Sequence, residues 1–251
     1  MTYYRRLPLE GLSNARDLGG FAFPGGTTKY GSFIRSEVPN EITKSDIEFL
    51  IQYGVCMSID FRGDVELERL PNLLSKEAAI DFRHIPTFNS QVARGAGISR
   101  DHPFVRWDEL YIQMCDGNRD WVKNVFHAFA EARGAVMFNC TTGKDRTGIM
   151  TALLLGLAGV SHEDIIADYC VSEVYMRSRY LKLFNAMPPL MVSDSEKPDE
   201  NLNDPFFRTS PDNMRRLLDH IDKAYGGIRS YLVSCGIDND ILDRVCHMLT
   251  E

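Results

Sequence analysis

The fold of this chain is decided by the stretch Ala135-Val136-Met137-Phe138-Asn139-Cys140-Thr141-Thr142-Gly143-Lys144-Asp145-Arg146-Thr147-Gly148. An apolar run with the character of a strand ends at Cys140, and five residues separate that cysteine from Arg146. The apolar run from Ile149 to Ala158 then predicts a buried helix. A strand, a loop with one glycine and a helix N-terminus bring successive backbone N–H groups to one point. The stretch therefore predicts an anion-binding loop.

Two side chains of this loop have the chemistry needed to transfer a phosphoryl group. Electropositive settings of this kind lower the pKa of a cysteine from about 8.5 to roughly 3.5–7.5, which favours Cys140 as a nucleophile. The planar guanidinium of Arg146 can bind two phosphate oxygens at once. We therefore expect a cysteinyl-phosphate intermediate, with Arg146 holding the equatorial oxygens. This chemistry needs no metal and no other cofactor.

The rest of the loop is expected to bind the same phosphate. The candidate ligands besides Arg146 are Thr141, Thr142, Gly143, Lys144 and Thr147. Thr147 is also expected to hydrogen-bond the sulfur, which would make the sulfur a better leaving group in the second step.

The spacing from cysteine to arginine is not sufficient by itself. Cys56 and Arg62 are equally far apart, but the residues between them include no glycine, and 55–59 has the pattern of a buried strand. We therefore interpret Cys56 as a small apolar core residue.

The motifs resemble those of the bacterial and fungal tyrosine phosphatases, whose signature is His-Cys-x-x-Gly-Lys-Asp-Arg-Thr-Gly. The similarity extends in the expected order from about residue 12 to residue 172. Its other parts are an Asn-x-Arg-Asp-Leu-Gly-Gly element at 14–20, the pair Arg35-Ser36, the triplet Asp60-Phe61-Arg62 with Glu66, and the segment 159–169. The resemblance implies a cysteine-dependent enzyme that hydrolyses phosphotyrosine, with phosphoserine and phosphothreonine as further candidate substrates.

Two carboxylates are candidates for the general acid that protonates the leaving oxygen. The resemblance assigns this role to Asp145, although Asp145 could instead only pair with a neighbouring base to hold the loop. Asp60 is the alternative, because it ends a predicted parallel strand at the edge where ligands bind in open α/β sheets. The family's histidine before the cysteine is Asn139 here. An amide donates and accepts hydrogen bonds but carries no charge, so we expect Asn139 to play a supporting role.

Other functions remain open at this point. Lysine at position 144 is shared with phosphatases that act on inositol lipids, which makes a phosphoinositide an alternative substrate. A surface Lys144 could equally steer any phosphate monoester to the loop. A rival of another class is a phosphate-sensing protein that lacks catalytic activity, against which the intact loop residues argue.

Composition and charge indicate the type of domain and exclude some classes of binding partner. The chain has 251 residues, of which 44% are hydrophobic and 25% are charged, as in a compact globular domain. A net charge of −7 argues against nucleic-acid binding, which needs a basic face. Six cysteines without close pairing suggest reduced thiols. We expect no signal peptide and no transmembrane segment, hence a cytoplasmic protein, with export by a signal-independent route left open.

The order of elements predicts a single α/β domain over residues 1–251, with a mostly parallel central sheet between helices. Strands are expected at 21–23, 28–34, 55–60 and 82–85, and helices from Thr43 to Gly54, at 105–115 and at 118–133. The segment 175–207 interrupts this order. It is expected to be a helical insertion after the loop, and it is either a surface element or a lid over the site.

Overall fold

The computed structural model describes residues 2–87, 107–180 and 208–251. Its centre is a sheet whose strands lie in the order β1 (Arg16–Asp17), β4 (Phe33–Ser36), β7 (Ala135–Asn139), β5 (Val55–Asp60) and β6 (Asp81–His84). β1 is antiparallel to β4, and the other neighbours are parallel. The prediction of an α/β fold with a mostly parallel sheet is confirmed.

The register of the sheet sets the position of the site. Asn139 at the end of β7 lies between Ser36 at the end of β4 and Asp60 at the end of β5. Parallel strands have their carboxyl ends at one edge, and ligands bind outside that edge in open α/β sheets. Cys140 follows Asn139 directly, so the cysteine enters the loop from the middle of this edge.

Helices cover both faces of the sheet. They are α1 (Lys44–Gln52), α2 (Asp64–Arg69), α3 (Trp107–Gly117), α4 (Arg119–Glu131), α5 (Asp145–Leu157), α6 (His162–Met176), α7 (Pro211–Tyr225), α8 (Ile228–Ser234) and α9 (Asn239–Thr250). Alternate residues of β7 face opposite sides: Val136 and Phe138 join one apolar cluster, and Ala135 and Met137 join the other. α5 is buried over most of its length, as its unbroken apolar run predicts.

The observed starts of two helices, α1 and α5, can be compared with the signals in the sequence. Thr43 caps α1 by accepting from the Asp46 N–H, and the Asp46 carboxylate accepts from the Thr43 N–H, so a capping box fixes the helix start next to the predicted Thr43. α5 begins at Asp145, four residues before the predicted apolar run at Ile149. Arg146 therefore lies in the first turn of the helix, where the N-terminal N–H groups are also located.

The predicted strand at 28–34 is wrong. The predicted strands at 21–23 and 28–34 do not pair over these lengths. Instead, β2 (Ala22–Phe23) pairs with β3 (Gly26–Thr27) in a short hairpin, and β4 is a separate strand of the central sheet. The Thr28 hydroxyl donates to the Leu18 carbonyl, which turns the chain away from the hairpin. Gly31 then adopts a φ of 75°, which is incompatible with a continuous strand.

The predicted insertion at 175–207 is described only up to residue 180. Residues 175 and 176 complete α6, and the part of the predicted insertion or lid from 181 to 207 lies outside the described residues. Within the described chain, no helix is both long enough and apolar enough to span a bilayer.

Candidate phosphate site

The loop between β7 and α5 turns sharply against β4. Gly143 has a φ of 67°, and a Cβ at this position would lie 2.4 Å from the backbone of Ser36. The loop therefore requires glycine here both for its backbone angle and for its close approach to the next strand. Cys140, at the start of the loop, is 1% exposed.

The carbonyl groups of the loop point away from its centre and bind the surrounding protein. The carbonyl of Cys140 accepts from Asn139 Nδ2 (3.2 Å), and that of Thr141 accepts from the Val38 N–H (3.2 Å). Two further donors hold the tip of the loop: Asn14 Nδ2 donates to the Thr142 carbonyl at 2.9 Å, and Arg35 Nη2 donates to the Gly143 carbonyl at 2.7 Å.

The matching N–H groups remain available for an anion. Within the described part of the chain, no acceptor binds the N–H groups of Thr141, Thr142 or Gly143. Because each peptide unit directs its N–H opposite to its carbonyl, outward carbonyls turn these donors towards the inside of the loop. The geometry is that of an oxyanion site next to a buried thiol.

A buried group of arginines supports the loop from the side of β1 and β4. We call it the arginine cluster; it comprises Arg5, Arg16, Arg35 and Asp168. Arg16 Nε and Arg35 Nη1 approach the carboxylate of Asp168 at 2.9 Å and 2.6 Å, and Arg5 does so at 3.1 Å. Burial opposes ionisation of Asp168, but Arg16 and Arg35 hold its pKa well below its usual value.

The arginine cluster places excess positive charge near the thiol. Three guanidinium groups share one carboxylate, so the cluster carries positive charge behind the loop. Burial and the charge of Arg16 lower the pKa of Arg35 to about 10, which leaves it charged at neutral pH. Arg35 also interacts coulombically with Cys140, which links the cluster to the sulfur.

On the opposite side of the loop, Glu66 holds Arg146. The two oxygens of Glu66 accept from Arg146 Nη1 and Nη2 at 2.7 Å and 2.8 Å, and Glu66 also accepts from the Thr141 hydroxyl. Burial alone would raise the pKa of Glu66, but the charge and hydrogen bonds of Arg146 lower it to about 2. This two-point pair fixes the plane of the guanidinium.

The candidate acid Asp145 begins α5 and is bound by a tyrosine. Its Oδ1 accepts from the Tyr111 hydroxyl and lies 3.7 Å from Lys144 Nζ. The side chain of Asp145 is 18% exposed, so it remains accessible from outside. The structure therefore brings Cys140, Asp145 and Arg146 to one loop, as their positions in the sequence predict.

Asp60, the alternative acid, is fully enclosed. Arg62 Nη2 approaches its Oδ2 at 2.8 Å, and both side chains are 0% exposed. Burial opposes its ionisation, but Arg62 holds the pKa of Asp60 below its usual value. A buried ionised carboxylate in an ion pair is poorly suited to donate a proton to a substrate, which favours Asp145 for that role.

Asp60 instead connects to the loop through two amides. Asn72 Nδ2 lies 3.0 Å from Asp60 Oδ2 and 3.2 Å from Asn139 Oδ1, and Asn139 donates on to the Cys140 carbonyl. We call Asp60, Asn72 and Asn139 the amide chain. Asn139 is thereby hydrogen-bonded both to Asn72 and to the first residue of the loop.

Two expectations about the loop side chains are wrong. Lys144 is 2% exposed and donates to the Arg208 carbonyl at 3.3 Å, so it is not a surface lysine. The Thr147 hydroxyl is buried, and no group in the described residues, the Cys140 sulfur included, hydrogen-bonds to it. Thr147 lies within the first turn of α5, and its side chain packs inside the protein.

Several supporting residues had no role assigned from the sequence. Asn14, Arg35, Glu66 and Asp168 lie in motifs that are visible in the sequence, but the contact between Arg35 and Asp168 spans 133 positions. Asn72 and Tyr111 carry no sequence signal, since each is one polar residue in an ordinary helical or turn segment.

Comparison with known proteins identifies the class. The model of the tyrosine phosphatase family matches residues 7–251, and the chain belongs to that family. It is therefore a phosphatase of the cysteine-dependent, tyrosine phosphatase-like class.

Proteins similar to this chain include two relatives and one solved structure. A tyrosine-protein phosphatase of Nostoc commune is 28% identical over 85% of this chain and 72% of its own length. The triple specificity protein phosphatase PtpB of Mycobacterium tuberculosis is 27% identical over 44% of this chain and 42% of its own length. A crystal structure of P. aeruginosa TpbA, a cysteine-to-serine variant in complex with phosphotyrosine, is 13% identical with a TM-score of 0.38, covering 88% of this chain and 96% of that one.

Proposed function

We propose that this phosphatase hydrolyses phosphotyrosine in two steps, with Cys140 as the nucleophile, Asp145 as the acid and base, and Arg146 as the phosphate ligand. The observation that carries the proposal is the orientation of the loop. Its carbonyls bind Asn14, Arg35, Val38 and Asn139, which leaves N–H groups directed inwards beside a buried thiol.

In the first step, the Cys140 thiolate attacks phosphorus. The S–P bond forms as the P–O bond to the tyrosine oxygen breaks, and Asp145 transfers its proton to that oxygen. The loop N–H groups and Arg146 stabilise the charge on the equatorial oxygens. Glu66 contributes by holding the guanidinium in one plane before substrate arrives.

In the second step, the Asp145 carboxylate accepts a proton from water. The water oxygen attacks phosphorus, the P–S bond breaks, and the Cys140 thiolate leaves as inorganic phosphate forms. The arginine cluster supports the leaving thiolate through its positive charge. Every group needed for both steps therefore lies in the loop or in contact with it.

Phosphotyrosine is favoured over a phosphoinositide by the position of Lys144. Recognition of a second phosphate on an inositol ring needs a cation that can reach the ligand. Lys144 is buried and bound to the carbonyl of Arg208, so it is engaged by the protein itself. A single phosphate on an aromatic ring needs only the loop and Arg146.

The test is phosphate release, with chelator present, from a phosphotyrosine peptide and a phosphoinositide side by side. We expect faster release from the peptide, and no release above background with Cys140→Ser, which keeps phosphate binding but lacks the nucleophile. Turnover by pure Cys140→Ser would refute the assignment of the nucleophile. Faster phosphate release from the lipid would overturn the proposed substrate class. No phosphate release from either substrate, together with tight binding of phosphate, would indicate a phosphate sensor.

Replacing Arg146 by lysine tests the role of the planar guanidinium. Arg146→Lys keeps the charge but cannot form the two-point pair with Glu66 or bind two phosphate oxygens in one plane. We expect kcat/KM for the peptide to fall on the order of 10²-fold, comparable to the loss of an oxyanion donor. A rate near that of the unmodified enzyme would contradict this role.

A further inference from the structure

Two buried tyrosines form a short chain of hydrogen bonds that ends on the proposed acid. Tyr111 on α3 donates to Asp145 Oδ1, and its oxygen lies 2.8 Å from the hydroxyl of Tyr169 on α6. Tyr111 is 0% and Tyr169 is 1% exposed. These hydrogen bonds thus join α3 and α6 to Asp145, the first residue of α5.

The direction of donation follows from counting protons. A phenol has one proton, and Tyr111 directs it to the Asp145 carboxyl. Tyr169 must then be the donor in the bond between the two hydroxyls. Burial and the neighbouring Asp145 raise the pKa of Tyr111 well above its usual value, so both rings stay neutral donors over the working pH range.

The two oxygens of Asp145 therefore differ. Oδ1 accepts from Tyr111 and faces Lys144 Nζ, whereas Oδ2 has no partner in the part of the chain that the structure describes. An oxygen that accepts a hydrogen bond from a neutral donor is disfavoured as the site of its own proton. The proton of the neutral acid is consequently directed to Oδ2.

We propose that Tyr111 is a positioning residue for catalysis, which holds Asp145 by Oδ1 so that Oδ2 carries the proton given to the leaving oxygen, with Tyr169 orienting Tyr111. This inference rests on the proposed role of Asp145 as the acid. Once the proton has left, the same hydrogen bond keeps the carboxylate in position for the second step, in which it acts as the base.

Besides the two tyrosines, three other titratable groups interact with Asp145: Lys144, Arg146 and Tyr180. None of them changes when Tyr111 is replaced by phenylalanine. A comparison of Tyr111→Phe with the unmodified enzyme therefore isolates the hydroxyl.

The readout is the pH profile of kcat/KM combined with the dependence on leaving group. The proposed first step needs a protonated acid, so activity is expected to fall at high pH; we call this fall the basic limb of the profile. Removing the Tyr111 hydroxyl removes a hydrogen bond that favours the carboxylate form of the acid. We expect Tyr111→Phe to move the basic limb upwards by about one pH unit, a typical effect of one hydrogen bond to a charged group. We also expect a loss of about tenfold with phenyl phosphate and of less than about twofold with p-nitrophenyl phosphate, whose leaving group needs little protonation.

One further variant serves as a control and another as a second test of the same hydrogen-bond chain. Tyr231→Phe removes another buried phenol, which donates to the Cys115 carbonyl of α3 at 2.9 Å, and it should leave both the basic limb and the leaving-group ratio unchanged. Tyr169→Phe keeps the Tyr111 donor and should shift the limb in the same direction by a smaller amount. If Tyr111→Phe does not fold, Tyr169→Phe decides the question by itself, and an unshifted profile there overturns the inference.

A third variant separates this inference from the proposed function. Asp145→Asn should abolish the basic limb and strongly depress turnover of phenyl phosphate. If the limb persists in Asp145→Asn, the assignment of the acid fails and the inference fails with it. If Asp145→Asn behaves as expected while Tyr111→Phe superimposes on the unmodified enzyme, the positioning role alone is refuted.

Discussion

The two sides of the phosphate loop are held by different kinds of contact. In the arginine cluster on one side, Arg5 is 36% exposed, but Arg16, Arg35 and Asp168 are almost entirely buried, and Arg35 binds the backbone of the loop at the Gly143 carbonyl. On the other side, Glu66 and Arg146 are 13% and 14% exposed, and Glu66 binds a side chain rather than the backbone. The backbone is thus fixed from inside the protein, whereas the guanidinium is oriented by a partly exposed carboxylate.

The comparison shows how one loop combines rigidity with access. The N–H groups need a fixed geometry before substrate binds, since an oxyanion site contributes most when it needs no reorganisation. Arg146 must instead remain reachable, so its partner Glu66 lies close to the surface. We therefore expect damage to the cluster to affect stability first, and damage to the Glu66 pair to affect activity first.

The largest effect is expected from breaking the arginine cluster. Asp168→Asn removes the carboxylate shared by Arg16 and Arg35 and leaves buried positive charges without a counter-ion. Losing one partner of a buried ion pair typically costs about 3–5 kcal/mol, so we expect a loss of this size in the free energy of unfolding. Urea denaturation followed by circular dichroism measures it.

The matched control for Asp168→Asn is Asp243→Asn. Asp243 pairs with Arg229 at 2.6 Å, but the two side chains are 64% and 46% exposed. Exposed pairs contribute roughly 0–1 kcal/mol, so the control should be nearly silent. Equal losses in the two variants would show that burial of the cluster does not matter.

A smaller effect, on activity, is expected from Glu66→Gln. The amide has the same shape but lacks the charge and one of the two acceptors that hold Arg146 flat. A misplaced catalytic group can cost on the order of 10²-fold, and we expect a loss of about this size in kcat/KM for a phosphotyrosine peptide. Steady-state kinetics measure the effect on activity, and an unfolding curve measures the effect on stability. A loss of stability without a loss of rate would contradict the expectation that the Glu66 pair acts mainly on activity.

The same pair makes a prediction for acid stability. Glu66 has a folded pKa of about 2 and an ordinary value of 4.5, so its stabilising contribution is complete above about pH 4.5 and is lost as the pH falls towards 2. Glu66→Gln lacks this titration. The difference in unfolding free energy between the two proteins should therefore shrink as the pH falls from 4.5 to 2, and a constant difference would refute the pairing.

The smallest effect is expected from the amide chain. Asn72→Ala removes the donor that links Asp60 to Asn139, together with the acceptor of the Leu74 N–H, but leaves the ion pair of Asp60 with Arg62 intact. A buried acceptor left without its donor costs about 1–3 kcal/mol, and we expect a loss towards the lower end of that range in urea denaturation. Asn118→Ala, which removes a part-buried bond to the Met114 carbonyl, is the control and should lose less.

Much of the fold could be predicted from local patterns. The apolar runs at 135–139 and 149–158 have lengths typical of a buried strand and a buried helix, and Thr43 with Asp46 marks a helix start by chemistry that acts over three residues. The short hairpin was predicted less well, because its end depends on a hydrogen bond between Thr28 and Leu18 that no periodicity reveals.

The site was predictable only where its residues are neighbours in the chain. Cys140, Asp145 and Arg146 share one loop, so their proximity follows from the sequence. The burial of Lys144 depends on Arg208, and the orientation of Asp145 depends on Tyr111 in another helix. Contacts between such distant positions are set by tertiary packing, which composition and spacing do not specify.

The sequence separation within the arginine cluster has a consequence for biosynthesis. Arg16 and Arg35 emerge from the ribosome well before Asp168, which lies 152 and 133 positions further on. Until Asp168 is made, the guanidinium groups that will support the loop have no shared carboxylate and repel one another. A nascent chain can contain the complete loop from Cys140 to Arg146 and still lack its support. Catalytic competence is therefore expected only late in translation, after Asp168 has been added.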